Sequence, residues 1–458
     1  MTYESTVQPV RVFAPCAYSW SNKGDATLVL ALVQSLEREF GSVEVTCTSW
    51  TPKLDKQYYK FPVLRMPLRP NSFTSRVIHH PLRWMRLSQL SPYLVVLQLA
   101  TFLFLMRLWM QLYRHAPSHA FVVLPPSLRK VVQTIMRSDV AVAVPGGYLM
   151  AQYFTKDYWM YHAATLGLTK ILGRPLVLYP CSIGPFPGIH RVVARWVLSR
   201  CDLIILREMY SLEHLRKLGI GTDNVRILPD AAFSFEDDGQ GEREIRSVIT
   251  RLNILPRPWI GVSVREHHFS NSADPRADFE KYMDAVAQTA DFSIERFGVG
   301  AVFVPQTGED LWVAKEVFRR MKHPEHALVL GDDLSPQALK ALYAELEVMI
   351  GTRMHANILS IISGTPVVAV AYEHKTAGIM NMLGLASFVV PIDQASERLQ
   401  AVTQRLWMQR NQVRTLLPER VARMRSGSKQ SAQYVRWAIG KNHQPDTKPP
   451  RVGKVKSC

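Results

Sequence analysis

The chain has 458 residues, 47% of them hydrophobic and 20% charged. That length and balance exclude a disordered chain and a small disulfide-stapled scaffold, and they provide for two domains or more. A formal net charge of +17 calls for an anionic counterpart: an acidic substrate, an anionic membrane surface or a nucleic acid.

Apolar runs that alternate with amphipathic stretches predict a β–α rhythm from the start. Val10 to Pro15 reads as a strand, followed by SWSNKGDAT and an amphipathic helix from Leu28 to Phe40. Strand, glycine-containing loop and helix make a phosphate-binding type of junction, although this one is far from a Walker motif. Asp25, just ahead of the helix, is expected to cap it or to touch substrate. Val43 to Cys47 is the second strand. Asp139 to Val144 is another, ending in Pro145-Gly146-Gly147, where two glycines permit close backbone approach to a ligand. A helix over 157–172 carries His162, expected as a satisfied structural residue on an apolar helix. Strands at Pro175 to Tyr179 and Leu203 to Leu206 deliver Ser182 and Arg207 to the same sheet edge as Gly146. Asp230 follows a short strand and is expected to cap it or to orient the site.

Between 51 and 137 the rhythm is interrupted. From Thr51 to Val140 the chain carries 13 Lys or Arg against 2 Asp or Glu. Inside lies Tyr93 to Met106 (YLVVLQLATFLFLM), uncharged and flanked by Arg83, Arg86, Arg107 and Arg114. Fourteen residues fall short of the roughly 20 that a membrane span needs. Three placements remain open: a buried or partner-covered helix, a helix lying in a membrane interface with its basic flanks on headgroups, and a spanning helix. No nucleic-acid motif accompanies the charge.

EDDGQGER (236–243) is polar and contains glycine, and the domain boundary is placed there. The second half repeats the rhythm. It begins with a helix over 244–252, then Trp259 to Val264 is a strand ending at Arg265 and Glu266. A helix over 278–297, a strand at 301–305, a helix over 311–321 and a strand at 327–330 follow. Asp332 and Asp333 suggest a paired-acid metal site, but GDDLSPQALKALY also reads as a helix start, capped by Ser335 with Pro336 in the first turn, where acids oppose the helix dipole. The latter reading is preferred, and no metal is expected. Leu346 to Ile350 and Pro366 to Tyr372 are buried parallel strands. Their ends deliver Arg353 and His355, then Glu373 and Lys375. Ligands of open α/β sheets bind outside the carboxyl ends of the strands. Two cations, an imidazole and a carboxylate at that edge suit a small anionic substrate and a proton transfer.

From Arg398 to Lys441 the chain has 10 Lys or Arg and one Glu. The expected organisation is α/β: two doubly wound Rossmann-like domains facing a cleft, at 1–243 (with the insertion 51–137) and 244–395. Basic helices over 396–440 would pack back on the first domain, and 441–458 would be a disordered tail. The five cysteines (Cys16, Cys47, Cys181, Cys201, Cys458) are scattered without metal-ligand spacing and read as reduced thiols. KVKSC is not a prenylation box, and MTYESTVQPVRVF lacks the apolar core of a signal peptide. A cytoplasmic protein is expected, peripheral at the inner membrane face if 83–114 engages lipid.

The segment GTRMHANILSIISGTPVVAVAYEHKTAGIMNMLGL resembles the C-terminal core of the polysaccharide pyruvyl transferase family, in particular its bacterial exopolysaccharide members. NKGDATL (22–28), PGGYL (145–149), YPCSIGPF (179–186), LREMYSLEHLRKLGI (206–220), LPDAAF (228–233) and SVRE (263–266) agree in the family order. Pro145 stands where a third glycine is common, and Lys23 where a small or polar residue is usual. The resemblance implies a glycosyltransferase-B-like architecture. It also implies transfer of a pyruvyl group from phosphoenolpyruvate, as co-substrate and without a cofactor, to two hydroxyls of a sugar. On that reading Arg353 and His355 are catalytic, and Arg207, Arg353, Lys375, Ser182, Gly146 and Gly147 bind the donor. Asp25, Arg265, Glu266 and Glu373 orient it or the acceptor, a polysaccharide or lipid-linked oligosaccharide. Two alternatives stay open: a glycosyltransferase of the same fold with a nucleotide-sugar donor, and a non-catalytic scaffold that holds membrane or polysaccharide with its basic face.

Overall fold

The computed structural model describes residues 8–68, 91–151, 157–237, 239–252, 258–270 and 272–441. Arg83, Arg86, Cys458 and all of the expected tail but Lys441 lie outside them. The chain forms two units. Among the described residues the first comprises 8–20, Leu28–Ala231 and 427–441; the second comprises Ser21–Thr27 and Ala232–Ser426. The division therefore falls about a dozen residues before the expected boundary, ahead of the polar stretch rather than behind it.

The first unit is built on an eight-stranded parallel sheet in the order β3-β2-β1-β4-β6-β7-β8, with β5 paired to β6. The strands are β1 (Val10–Ala17), β2 (Val43–Ser49), β3 (Val63–Arg65), β4 (Val140–Ala143), β5 (Gly146–Leu149), β6 (Leu176–Ile183), β7 (Leu203–Leu206) and β8 (Val225–Ile227). Strands such as LIIL and LVLYPCSI are buried throughout, as parallel strands covered on both faces must be. Two expectations are corrected here. Residues 63–65 pair with β2, so the stretch 51–137 contributes an edge strand and is not wholly an insertion. Gly146 and Gly147 open a strand instead of ending in a loop, because the segment pairs with Cys181 and Ile183 of β6.

The second unit is a six-stranded parallel sheet in the order β11-β10-β9-β12-β13-β14. These are β9 (Trp259–Ser263), β10 (Gly300–Phe303), β11 (Ala327–Val329), β12 (Val348–Gly351), β13 (Val367–Ala371) and β14 (Val389–Pro391). Strand order reverses between β1 and β4 in the first sheet and between β9 and β12 in the second, so each sheet has one switch point at its carboxyl edge.

The helices that matter below are α1 (Lys23–Phe40), α2 (Ser91–His115), α3 (Tyr158–Ile171), α4 (His190–Leu198), α5 (Gln240–Leu252), α6 (Gly308–Arg319), α7 (Pro336–Ala344), α8 (Met354–Ile362), α9 (His374–Met382) and α10 (Ala395–Lys441). The apolar stretch at 93–106 lies within the longer α2, and Pro92–His115 is by length and composition long and apolar enough to cross a membrane. The expected C-terminal helices are one helix of 47 residues running through Pro418, whose last part groups with the first unit. There Arg436 pairs with Glu39 and lies over the Phe40 ring.

Glycine is required where α5 meets α7. A Cβ on Gly241 would stand 2.3 Å from the backbone of Gln337, which cannot swing away as a side chain can. Gly241→Ala is expected to destabilise the second unit by about 1–3 kcal/mol, read as a lower urea midpoint. Gly221→Ala, which meets nothing, should stay within about 0.5 kcal/mol of wild type.

Candidate active site

The carboxyl edge of the second sheet gathers most of the chemistry. Ser263 at the end of β9 pairs with Gly351 at the end of β12, and the Thr352 amide donates to the Ser263 carbonyl at 2.7 Å. Arg265 and Arg353 each lie two residues beyond that pair. β13 lies beside β12 and ends at Ala371, so Tyr372, Glu373 and Lys375 open onto the same edge. The Arg265 guanidinium stacks on the Tyr372 ring at 4.1 Å, and Lys375 Nζ lies 5.9 Å from the same ring.

Arg353 is firmly engaged. Its Nε donates to both carboxylate oxygens of Asp310 (3.1 and 2.9 Å), and Nη2 donates to Asp310 Oδ1 (2.5 Å) and Thr307 Oγ1 (3.2 Å). Asp310 is fully buried, and its Oδ2 also accepts the amides of Gln306 and Thr307. Thr307 and Asp310 form the capping box that starts α6. Burial works against the Arg353 charge, but Asp310 outweighs it, with Tyr372 and Asp25 adding to the effect, so Arg353 titrates above the ordinary arginine range. An arginine expected to bind the donor is thus committed to the protein along one edge. Among the described residues only Nη1 makes no protein hydrogen bond, and the bidentate face is taken by Asp310.

Arg265 has the opposite character. Its Nε donates to the Glu266 carbonyl at 3.0 Å, and neither Nη makes a hydrogen bond among the described residues. Lys375 pairs with Glu373 at 2.6 Å and sits in the first turn of α9, not in the loop before it. The Glu266 side chain is exposed.

Ser21–Thr27 belongs with this unit. The Lys23 amide donates to the Gln306 carbonyl at 3.0 Å, and its ammonium pairs with Asp333 at 2.5 Å. Asp332 pairs with Arg251, and Ser335 caps α7 as the sequence indicated. A Cβ on Gly24 would stand 2.7 Å from His355 Nδ1, so the glycine of NKGD allows the start of α1 to close on the His355 ring. The cap of α1 is Asn22, whose Oδ1 accepts the Asp25 amide and whose Nδ2 donates to the Asp25 carboxylate at 2.7 Å. Asp25 completes that cap from the first turn.

The remaining expected residues meet in the first unit. Arg207 is 2% exposed; its Nε donates to Ser182 Oγ at 2.8 Å and its Nη1 to the buried Asp230 at 2.7 Å. The Asp230 carboxylate overcomes the burial penalty and holds Arg207 above the usual arginine range. A Cβ on Gly147 would lie 3.5 Å from Arg207 Nη2, and Gly146 (φ +140°) leaves no room between itself and the Tyr18 hydroxyl. Tyr18 accepts the Gly147 amide at 3.0 Å. Tyr148, which packs on Tyr18, also lies 4.9 Å from His162. The expected residues thus fall into two sets, Gly146, Gly147, Ser182 and Arg207 in one unit and Asp25, Arg265, Glu266, Arg353, His355, Glu373 and Lys375 in the other.

Sequence reading missed Tyr372, His267, Thr307 and Asp310. His267 lies 5.6 Å from the Tyr372 ring, and burial first and Arg265 second depress its pKa. Thr307 and Asp310 carried a legible signal, the T-x-x-D spacing of a capping box before an apolar run.

Residues 22–374 match the family described as polysaccharide pyruvyl transferase. The chain belongs to that family. Over 279 residues it is 28% identical to amylovoran biosynthesis protein AmsJ of Erwinia amylovora, an alignment that spans 58% of this chain and 64%, less than two thirds, of AmsJ. Its fold is similar to that of Anabaena HepE in complex with UDP and glucose (TM-score 0.53, 14% identity, 94% of this chain and 100% of the other). It is also similar to UDP-GlcNAc 2-epimerase from Neisseria meningitidis (TM-score 0.54, 8% identity, 94% and 100%). These likenesses establish two doubly wound parallel α/β units of the glycosyltransferase-B-like type.

His162, in the wall of the first unit's aromatic cluster, gives this family member a pH signature. It accepts the Trp50 indole N–H at 3.1 Å, and burial pulls its pKa down to about 3. The folded pKa lies below the unfolded value, so the stability this neutral ring contributes is present above about pH 6.5 and is lost as pH falls toward 3. At pH 5 the loss should be about 2 kcal/mol. His162→Gln, which keeps an acceptor for Trp50, is expected to flatten the stability profile by that amount between pH 7 and 5 in urea titrations.

Proposed function

We propose that the protein transfers a pyruvyl group from phosphoenolpyruvate to two hydroxyls of one sugar of an exopolysaccharide precursor, giving a cyclic ketal and inorganic phosphate. Membership of the polysaccharide pyruvyl transferase family over 22–374 carries this reading. The relative named for amylovoran biosynthesis supports an exopolysaccharide acceptor, and a lipid-linked intermediate at the cytoplasmic membrane face would provide one.

The second unit's edge suits the donor. A planar carboxylate is best held by a guanidinium with both terminal nitrogens available, and Arg265, steadied over Tyr372, has them. Phosphate suits Lys375 and the N-terminal amides of α9. Arg353 adds one donor from Nη1 and, through Asp310, fixes the ends of β10 and β12. The donor's methylene carbon takes a proton as the first sugar hydroxyl attacks the central carbon and loses its own. Phosphate then leaves with the C–O bonding pair, and the second hydroxyl adds to the resulting oxocarbenium carbon and sheds its proton. The product is the ketal plus phosphate, with no redox change and no step that requires a metal. On this reading His355, whose ring packs against Gly24, is the proton-transfer group.

Nucleotide-sugar glycosyl transfer is the alternative, since the fold neighbour Anabaena HepE is a complex with UDP and glucose. A cavity of about 190 Å³ opens at the ends of β10 and β11, lined by Lys23, Gln306, Thr307, Asp332 and Asp333 among others. Thermal unfolding separates the two readings. Phosphoenolpyruvate at ~100 times its Kd should add about 2.7 kcal/mol to the folded state and raise the midpoint by a few degrees. Arg265→Ala should abolish that rise while leaving the ligand-free midpoint in place. Arg353→Ala is the poorer probe, because it strands Asp310 in the core. A shift with UDP-sugars and none with phosphoenolpyruvate would overturn the assignment.

With an acceptor in hand, phosphate release measures turnover. His355→Ala is expected to lower kcat by about 10²–10⁴-fold with the fold intact. Undiminished turnover would remove His355 from the mechanism.

A further inference from the structure

Helix α2 takes no part in the chemistry above, yet its surface is unusual. Val95, Leu99, Met106 and Trp109 are buried and face α3 and the first unit's core. Tyr93, Leu97, Phe104, Leu105, Leu108 and Leu112 are exposed, Leu97 and Phe104 to 64% and 60%. At about 100° per residue, the exposed set occupies one third of the helix circumference and the buried set the opposite side. Between them runs an apolar groove of about 300 Å³, walled by Val96, Leu103, Val193 and Trp196 with Arg107 at its margin. Arg114, seven residues on, falls on the same side of the helix.

A largely apolar face of this kind, interrupted by Thr101 and Gln111, needs a cover. Charge selects among the covers. From Ser91 to Ser138 the chain has Arg107, Arg114, Arg129, Lys130 and Arg137 and no Asp or Glu. A second copy would bring the same cations against themselves, whereas an anionic bilayer answers both the apolar face and its basic margin. α2 is long enough to span, but the stripe from Val95 to Trp109 is spent on the unit's own core, so the helix lies along the surface it meets. We propose that this face of α2 docks on an anionic lipid bilayer, with Tyr93, Leu97, Phe104 and Leu108 at the headgroup–acyl boundary, Arg107 and Arg114 on lipid phosphates, and the groove holding a hydrocarbon chain. This inference is independent of the donor assigned above.

The test is cosedimentation of the full-length protein with vesicles of phosphatidylcholine alone and of phosphatidylcholine with phosphatidylglycerol. Binding is expected to the mixed vesicles and to be weak on the neutral ones. Leu97→Glu combined with Phe104→Glu, both at exposed positions, should lower the partition coefficient about tenfold or more at an unchanged unfolding midpoint. Arg107→Gln with Arg114→Gln should remove the preference for the anionic vesicles and leave apolar binding. Wild type that stays in the supernatant with both vesicle types would overturn the proposal. So would a lipid-independent dimer that Leu97→Glu with Phe104→Glu converts to monomer, which would make the face a copy–copy interface.

Discussion

The carboxylate of Asp310 is the point on which the second unit's active edge depends. Fully buried, it accepts two backbone amides and the Nε–Nη2 edge of Arg353, and so ties the end of β10, the first turn of α6 and the end of β12 into one piece. A carboxylate in that position is tolerable only because every lone pair is answered. The first unit repeats the device. Arg207, just beyond the end of β7, is locked to Asp230 and to Ser182 of β6. Each sheet therefore has an arginine at its carboxyl edge, Arg207 buried and Arg353 half-buried, whose charge is already spoken for.

This separates two jobs that a motif merges. An arginine that organises an edge must be neutralised by a partner in the protein; one that binds an anion must keep its terminal nitrogens available. Arg353 and Arg207 belong to the first kind, and Arg265, bonded among the described residues only through Nε and braced by the Tyr372 ring, has the geometry of the second. The position of Arg265 follows from strand order alone: β9 is central, flanked by β10 and β12, so its end lies at the switch point.

Much of this arrangement was legible in the sequence, for definite reasons. Parallel strands buried on both faces read as apolar runs, so β7, β12 and β13 stood out, and the residues just beyond them were bound to share an edge. Pairings made across the sheet were not legible. Arg353 meets an aspartate 43 positions earlier, and nothing local to either residue announces it. β3 has three residues and ends in an arginine, too short for periodicity to show. Pro418 reads as a break, but α10 continues through it, packed by buried residues on both sides such as Leu417 and Val421. Tyr372 reads as the last residue of a strand, although its ring is the platform on which two cations gather.

The glycine of NKGD shows why such motifs are short. Gly24 has no conformational peculiarity; its φ is ordinary, and what matters is the absent Cβ, which would overlap His355 at 2.7 Å. Asn22 caps the helix and Asp25 completes the cap, so the three residues fix where the first turn of α1 stands before any substrate arrives. The segment Ser21–Thr27 sits with the second unit while β1 before it and most of α1 after it sit with the first. Substituting Gly24 would therefore press on His355 directly, and its effect would be felt in the orientation of the ring ahead of any effect on the sheet that carries it.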